Sequence, residues 1–261
     1  MSDFKQKYGP WGVISGASAG LGEEFASQLA AQGLNLVLIA RRADKLETIA
    51  AALREKHGIE TRCIAADLGS PNFLPAIAEQ TADLDVGLLV NNAGFTNSGN
   101  FLDNPIEKEA QLVDLNCRAV TLMAHHFGNR MRVRGGGGMI NTASIAGFGP
   151  IPFWATYSAS KSYDLLFSEA LSAELKPHNI DVLALCPGAT HTEFATYEGF
   201  IAKLLAMYPE EVISGALNSL GRRRVYVAGL LNKINVFSTR FMPRWLTALV
   251  FGLVIRDMVK H

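Results

Sequence analysis

A chain of 261 residues with 24 Lys+Arg against 24 Asp+Glu carries no formal net charge, which argues against a nucleic-acid partner. A hydrophobic share of 49% and a charged share of 18% exclude a disordered or fibrous chain and suit one large α/β domain with a substantial core. The opening MSDFKQKYGPWGVIS lacks the apolar centre of a secretory signal, and the most apolar run, WLTALVFGLVI at Trp245–Ile255, is too short to cross a membrane.

The elements alternate along the chain. Trp11–Ser15 is a short apolar strand, followed by a glycine-rich turn and a helical pattern that Gly33 ends. Leu34–Ala40 is nearly continuous in apolar residues, as a strand buried on both faces should be. A helix over Ala43–Lys56 stops near Gly58, and Thr61–Ala66 reads as the third strand. Leu88–Val90 lies in a fourth strand, Met139–Ala143 in a fifth and Asp181–Leu185 in a sixth, separated by helical stretches near 73–82, 106–133 and 157–176. GGGG at 135–138 reads as a loop before the fifth strand, and Val225–Ala228 as a seventh strand. Such alternation predicts a parallel sheet with helices on both faces and right-handed crossovers, in one domain. Cys63, Cys117 and Cys186 are far apart in apolar sequence; they read as reduced core residues of a cytoplasmic protein, without metal-ligand spacing, and no metal is expected.

Two local patterns carry chemistry. GASAGLG places Gly16, Gly20 and Gly22 between a strand and a helix start. Glycine there lets the backbone turn sharply and approach a pyrophosphate, while open amides at the helix N-terminus attract the anion. In YSASK, Tyr157 and Lys161 are four residues apart and share one helix face. A neighbouring cation favours phenolate and lowers a tyrosine pKa, although the same spacing also occurs on solvated helix faces.

With GASAGLG at 16–22, Asp67-Leu68, NNAG at 91–94, Asn116, Ser144, YSASK at 157–161 and PGATHT at 187–192, residues 10–195 resemble a short-chain dehydrogenase/reductase. The resemblance implies a Rossmann-type doubly wound, mostly parallel seven-stranded sheet. It implies a catalytic quartet in which Tyr157 exchanges a proton with the substrate oxygen, Ser144 holds that oxygen, and Lys161 lowers the tyrosine pKa and bonds the nicotinamide ribose. Asn116 then positions a water for proton relay to the lysine, or serves only as a satisfied core amide. Gly16, Ser18, Gly20, Leu21 and Gly22 would cradle the dinucleotide. Asp67 and Leu68 would meet the adenine, unless Asp67 merely caps its loop. Asn91, Ala93 and Gly94 would leave room for ribose, and the asparagine amides can equally brace neighbouring backbone, a role as structural as it is binding. Pro187, Gly188, Thr190 and Thr192 would hold the carboxamide, or form a turn with locally capped hydroxyls.

No acid follows the second strand, where NAD-specific sites carry one; Arg41 and Arg42 stand there instead. A guanidinium matches a phosphate, so NADP(H) is expected over NAD(H). Asp44 comes later and reads as a helix-start residue.

By the same resemblance, a segment near 193–215 covers the substrate, and its apolar character suits a hydrophobic ketone, aldehyde or alcohol; core packing accounts for many of the same residues. Phe148, Ile151, Phe153 and Trp154 are expected at the mouth of the site. The apolar tail over about 230–261, with Arg240 and Arg244 flanking FMPRW, could dock on the body, cover the mouth, mediate a homo-oligomer or touch a membrane surface. The reading is an NADP(H)-dependent carbonyl reductase. Its alternatives are a nucleotide-sensing or membrane-associated binding protein without turnover, and an epimerase or dehydratase.

Overall fold

The computed structural model describes residues 3–192 and 206–259. In chain order its elements begin with α1 (Asp3–Tyr8), β1 (Trp11–Ser15), α2 (Gly20–Ala31), β2 (Asn35–Ala40), α3 (Ala43–His57), β3 (Thr61–Ala65), α4 (Phe73–Gln80) and β4 (Val86–Asn91). They continue with α5 (Ile106–Val113), α6 (Val120–Arg134), β5 (Gly137–Thr142), α7 (Ala155–Glu174), β6 (Ile180–Cys186), α8 (Pro209–Ser219), β7 (Val225–Val227), α9 (Leu230–Thr239) and α10 (Arg244–Val259). The strands pair in the order β3-β2-β1-β4-β5-β6-β7, and every neighbouring pair is parallel.

Parallel strands covered on both faces bury successive side chains on opposite sides. Ile14, Leu36 and Leu38 pack with Phe25 and Leu29 of α2 and Val212 of α8. Val13, Val37 and Leu89 pack on the other face with Ile77 of α4 and Phe127 of α6. Each fully buried side chain of this size contributes roughly 1.5–3 kcal/mol relative to exposure.

Three departures from the sequence reading have physical causes. β5 starts inside the glycine run, at Gly137. A Cβ on Gly138 would lie 2.9 Å from the Tyr8 ring, and one on Gly137 would lie 2.7 Å from Met131. Gly137 pairs with β6 and Gly138 with both β4 and β6, and both are glycine because neighbours from α1 and α6 occupy the side-chain space. The long helical stretch after residue 106 is interrupted by a π turn at Asp114–Ala119. Of the three free cysteines only Cys186 is fully buried; Cys63 and Cys117 are half-buried, so they are not all core residues.

Candidate active site

The strand order reverses between β1 and β4, which opens a crevice beyond their carboxyl ends. The glycine turn lies there. Gly16 adopts φ +68°, and a Cβ on it would sit 2.9 Å from Ala93 Cα; one on Gly22 would sit 2.0 Å from the Gly16 carbonyl oxygen. Ser15 Oγ accepts from the Asn92 and Ala93 amides at 2.9 and 3.1 Å. The Asn92 side chain donates back to the Ser15 and Gly16 carbonyls at 3.3 and 3.4 Å. The turn and the end of β4 are thereby interlocked.

The N-cap of α2 is Ala19, which supplies no side-chain cap, so the first amides face an open end that suits an anion. Arg42 reaches across to this turn and donates to Ser18 Oγ at 3.1 Å and to its carbonyl at 3.2 Å; Arg41 beside it is exposed. Thr192 covers the turn from above, 3.1 Å from where a Gly20 Cβ would stand. An uncapped helix start, a glycine cradle and an adjacent guanidinium fit an anionic dinucleotide.

Other expected residues are placed less directly. Asp67 is exposed, and its Oδ1 accepts from the Gly69 amide at 3.0 Å, a loop-capping bond. Leu68 is buried in the core. Asn91 is also inward: its amide donates to Asn141 Oδ1 at 2.9 Å, so its side chain braces the sheet and only its backbone borders the crevice. The Pro187 carbonyl accepts from the Ile145 amide at 3.0 Å, tying this loop to the turn after Ser144. Gly188 is crowded by Asn232 of α9, whose Nδ2 lies 2.4 Å from where a Gly188 Cβ would stand, and Thr190 Oγ1 donates to the Gly188 carbonyl at 3.1 Å. The covering segment falls partly outside the described residues, at 193–205.

The quartet converges one strand further along. Tyr157 and Lys161 share a face of α7, and both are buried. Ser144, at the end of β5, hydrogen-bonds the Tyr157 hydroxyl, and its Oγ accepts from the Ala146 amide at 3.1 Å. Asn116 sits in the π turn, a feature that often marks functional positions. Its Oδ1 accepts from the Phe95 amide at 3.1 Å, and its Nδ2 donates to the Phe95 carbonyl at 3.0 Å and Ser160 Oγ at 3.1 Å. Its side chain is thus satisfied by Phe95 and Ser160. Gly94 lets these groups meet: a Cβ there would come 3.1 Å from Asn116 Oδ1 and 3.7 Å from Lys161 Nζ.

Lys161 Nζ donates to the Thr142 carbonyl at 2.7 Å and to Asp164 Oδ2 at 3.0 Å. Asp164 is 1% exposed, and its Oδ1 lacks a protein partner. Sequence reading missed it, although a carboxylate three residues after the lysine lies on the same helix face.

The electrostatics correct one expectation. Burial pushes the Tyr157 phenol up, Lys161 and Ser144 pull it down, and Asp164 adds to the rise; the net direction is upward. Lys161 exerts the expected pull, but desolvation outweighs it. Burial opposes the Lys161 charge as well, yet Asp164 and Tyr157 more than offset this and raise its pKa. Burial pushes Asp164 up to about 6 against the pull of Lys161.

The wall around Tyr157 is aromatic. Trp154 meets its ring edge-on at 5.6 Å, and Phe95, Ile151, Phe153, Phe251 and Ile255 belong to the same cluster. Phe153 adopts φ +66°, a strained conformation for a bulky residue and one that concentrates at functional sites. Phe148 packs elsewhere, with Ala143 and Leu165. Phe251 and Ile255 come from α10, so the tail docks on the body beside the tyrosine. Among the described residues no group of three His, Cys, Asp or Glu is placed to hold a metal ion.

Comparison with known proteins gives a consistent family. The profile of the short chain dehydrogenases matches residues 11–199. The 7beta-hydroxysteroid dehydrogenase of Clostridium sardiniense is 32% identical over 245 residues, covering 93% of this chain and 94% of its own. A solved 7beta-hydroxysteroid dehydrogenase, from work on its stereoselectivity, superposes with a TM-score of 0.86 at 30% identity, covering 91% of this chain and 94% of its own. A short-chain dehydrogenase from Sphingobium yanoikuyae in complex with NADPH gives 0.78 at 32% identity, covering 88% and 93%.

Proposed function

The chain belongs to the short-chain dehydrogenase family of oxidoreductases, and from that premise we propose that it uses NADP(H) to interconvert a hydrophobic ketone and its secondary alcohol. The observation that carries the reading is that Tyr157 and Lys161 share a buried face of α7, with Ser144 at the Tyr157 hydroxyl and the Lys161 ammonium at the Thr142 carbonyl and next to Gly94, one strand from the glycine turn.

When bound, the nicotinamide supplies or accepts the hydride, which is the cofactor's own chemistry. The protein's residues do the rest. The amides from Gly16 to Gly22 would receive the pyrophosphate, with Ser18 and Leu21 in the same turn. Arg42 and Arg41 would meet the 2′-phosphate, and their charge would favour NADP(H) over NAD(H). Ala93 and Gly94 would leave space for ribose, Lys161 would bond its hydroxyls, and Thr190 and Thr192 would hold the carboxamide. In reduction, Ser144 fixes the substrate oxygen and Tyr157 donates its proton to it; in oxidation, Tyr157 takes that proton back. The raised Tyr157 pKa keeps the phenol protonated at neutral pH, which suits the donor role. The aromatic wall of Phe95, Phe153, Trp154 and Phe251 and the similarity to hydroxysteroid dehydrogenases support a polycyclic or otherwise bulky apolar substrate.

The test is NADPH consumption, with NADH in parallel, across aliphatic, aromatic and polycyclic carbonyls. Wild-type protein should turn over at least the bulky apolar ketones, and Tyr157→Phe should lower kcat by about 10²–10⁴ while dinucleotide binding is retained. Absence of turnover on every carbonyl, with NADPH still bound, would replace this reading with a non-catalytic nucleotide-binding role.

A further inference from the structure

The last two helices are apolar on sides that no described residue covers. On α10, Thr247, Phe251 and Ile255 recur every four residues and face the body. Thr247 packs on Gly149, 2.8 Å from where its Cβ would stand. Half a turn away, Trp245, Leu249 and Leu253 are exposed. A helix apolar on both sides ordinarily lies inside a core; this one has a covered side and a bare one. On α9, Leu230, Ile234 and Phe237 are exposed along one face. At the corner between the helices Phe241 is 74% exposed, and its ring meets Phe237 edge-on at 5.2 Å. An apolar surface this continuous calls for a partner.

Charge selects among partners. Lys233, Arg240, Arg244 and Arg256 are exposed within this stretch, and no Asp or Glu occurs between Glu211 and Asp257. A two-fold contact between copies would set the patch against itself, cation against cation, with Asp257, beside Arg256 near the end of α10, its only acid. A bilayer span is excluded for the described helices: none is long and apolar enough to cross. The 16 residues of α10 rise about 24 Å, short of the roughly 30 Å of hydrocarbon.

We propose that α9, Phe241 and α10 seat this protein on an anionic lipid surface, with the apolar side chains at the acyl boundary and the four cations among the headgroups. The covered side of α10 places Phe251 and Ile255 in the same packed cluster as Tyr157, so the lipid contact lies on the flank of the body that carries the candidate site. Vesicle binding is read without turnover and stands or falls apart from the proposed chemistry.

The experiment is co-sedimentation of the full chain with vesicles of phosphatidylcholine alone or mixed with phosphatidylserine, at low and high salt. Binding should require phosphatidylserine and weaken with salt. Arg240→Gln with Arg244→Gln should reduce it about thirtyfold, and Phe241→Ser with Trp245→Ser should abolish it while thermal unfolding is unchanged. Sedimentation velocity of the same proteins without lipid provides the counter-outcome. No vesicle binding, or binding that these substitutions leave intact, overturns the proposal. A dimer that Phe241→Ser with Trp245→Ser dissociates, in a protein that ignores vesicles, assigns the face to a second copy instead.

Discussion

Tyr157 shows how competing effects at one residue are resolved by burial. The spacing to Lys161 correctly locates a cation, whose pull is downward; the apolar wall and Asp164 push upward and win. The difference absorbance of wild type minus Tyr157→Phe should therefore show phenolate only above the ordinary tyrosine value of about 10. A signal below it would mean that Lys161 and Ser144 dominate. Asp164 is the other decisive residue. With Asp164→Asn, the buried Lys161 ammonium loses its counter-charge, and urea unfolding should report a loss of about 3–5 kcal/mol. Asp164→Leu with Lys161→Met should cost much less than the sum of the single changes, because the uncompensated charge disappears with its partner.

At the scale of elements, the first turn was legible because its requirements are local. A strand running into a helix through three glycines admits few conformations, and the structure adds why each glycine is needed. Gly22 faces the Gly16 carbonyl, so Gly22→Ala must move backbone. The expected cost is about 1–3 kcal/mol, read as a lower melting temperature together with weakened NADPH binding. The π turn that carries Asn116 left no mark in the periodicity, since one extra residue in a long helical stretch is invisible to a 3.6-residue pattern. For Asp67 and Asn91 the motif left a binding role and a structural one open, and the folded chain supplies the structural bonds, to Gly69 and to Asn141.

For the whole molecule, the tail links stability, site and surface. Ile255 is 6% exposed and packs in the cluster around Tyr157. Ile255→Ala should cost about 2 kcal/mol or more and should lower kcat/KM for bulky ketones more than for small ones, because it opens the wall on the substrate side. Equal loss on both would place Ile255 in general packing alone. The all-parallel order, with its reversal between β1 and β4, puts the glycine turn, the end of β4 and the α7 pair along one edge of the sheet. Residues separated by more than a hundred positions thus meet in one crevice.

The chain's order of apolar runs, its glycine turn and its Tyr-to-Lys spacing determined the fold class, most of the strands and which residues make up the candidate site, because those signals depend on neighbours within a helical turn or a strand. Only the folded state decided that Gly137 and Gly138 are strand residues beside Met131 and Tyr8 and that Asp164 anchors the lysine. It also decided which side of α10 is covered. These outcomes rest on contacts between distant segments and on desolvation, and neither exists until the sheet has closed around them.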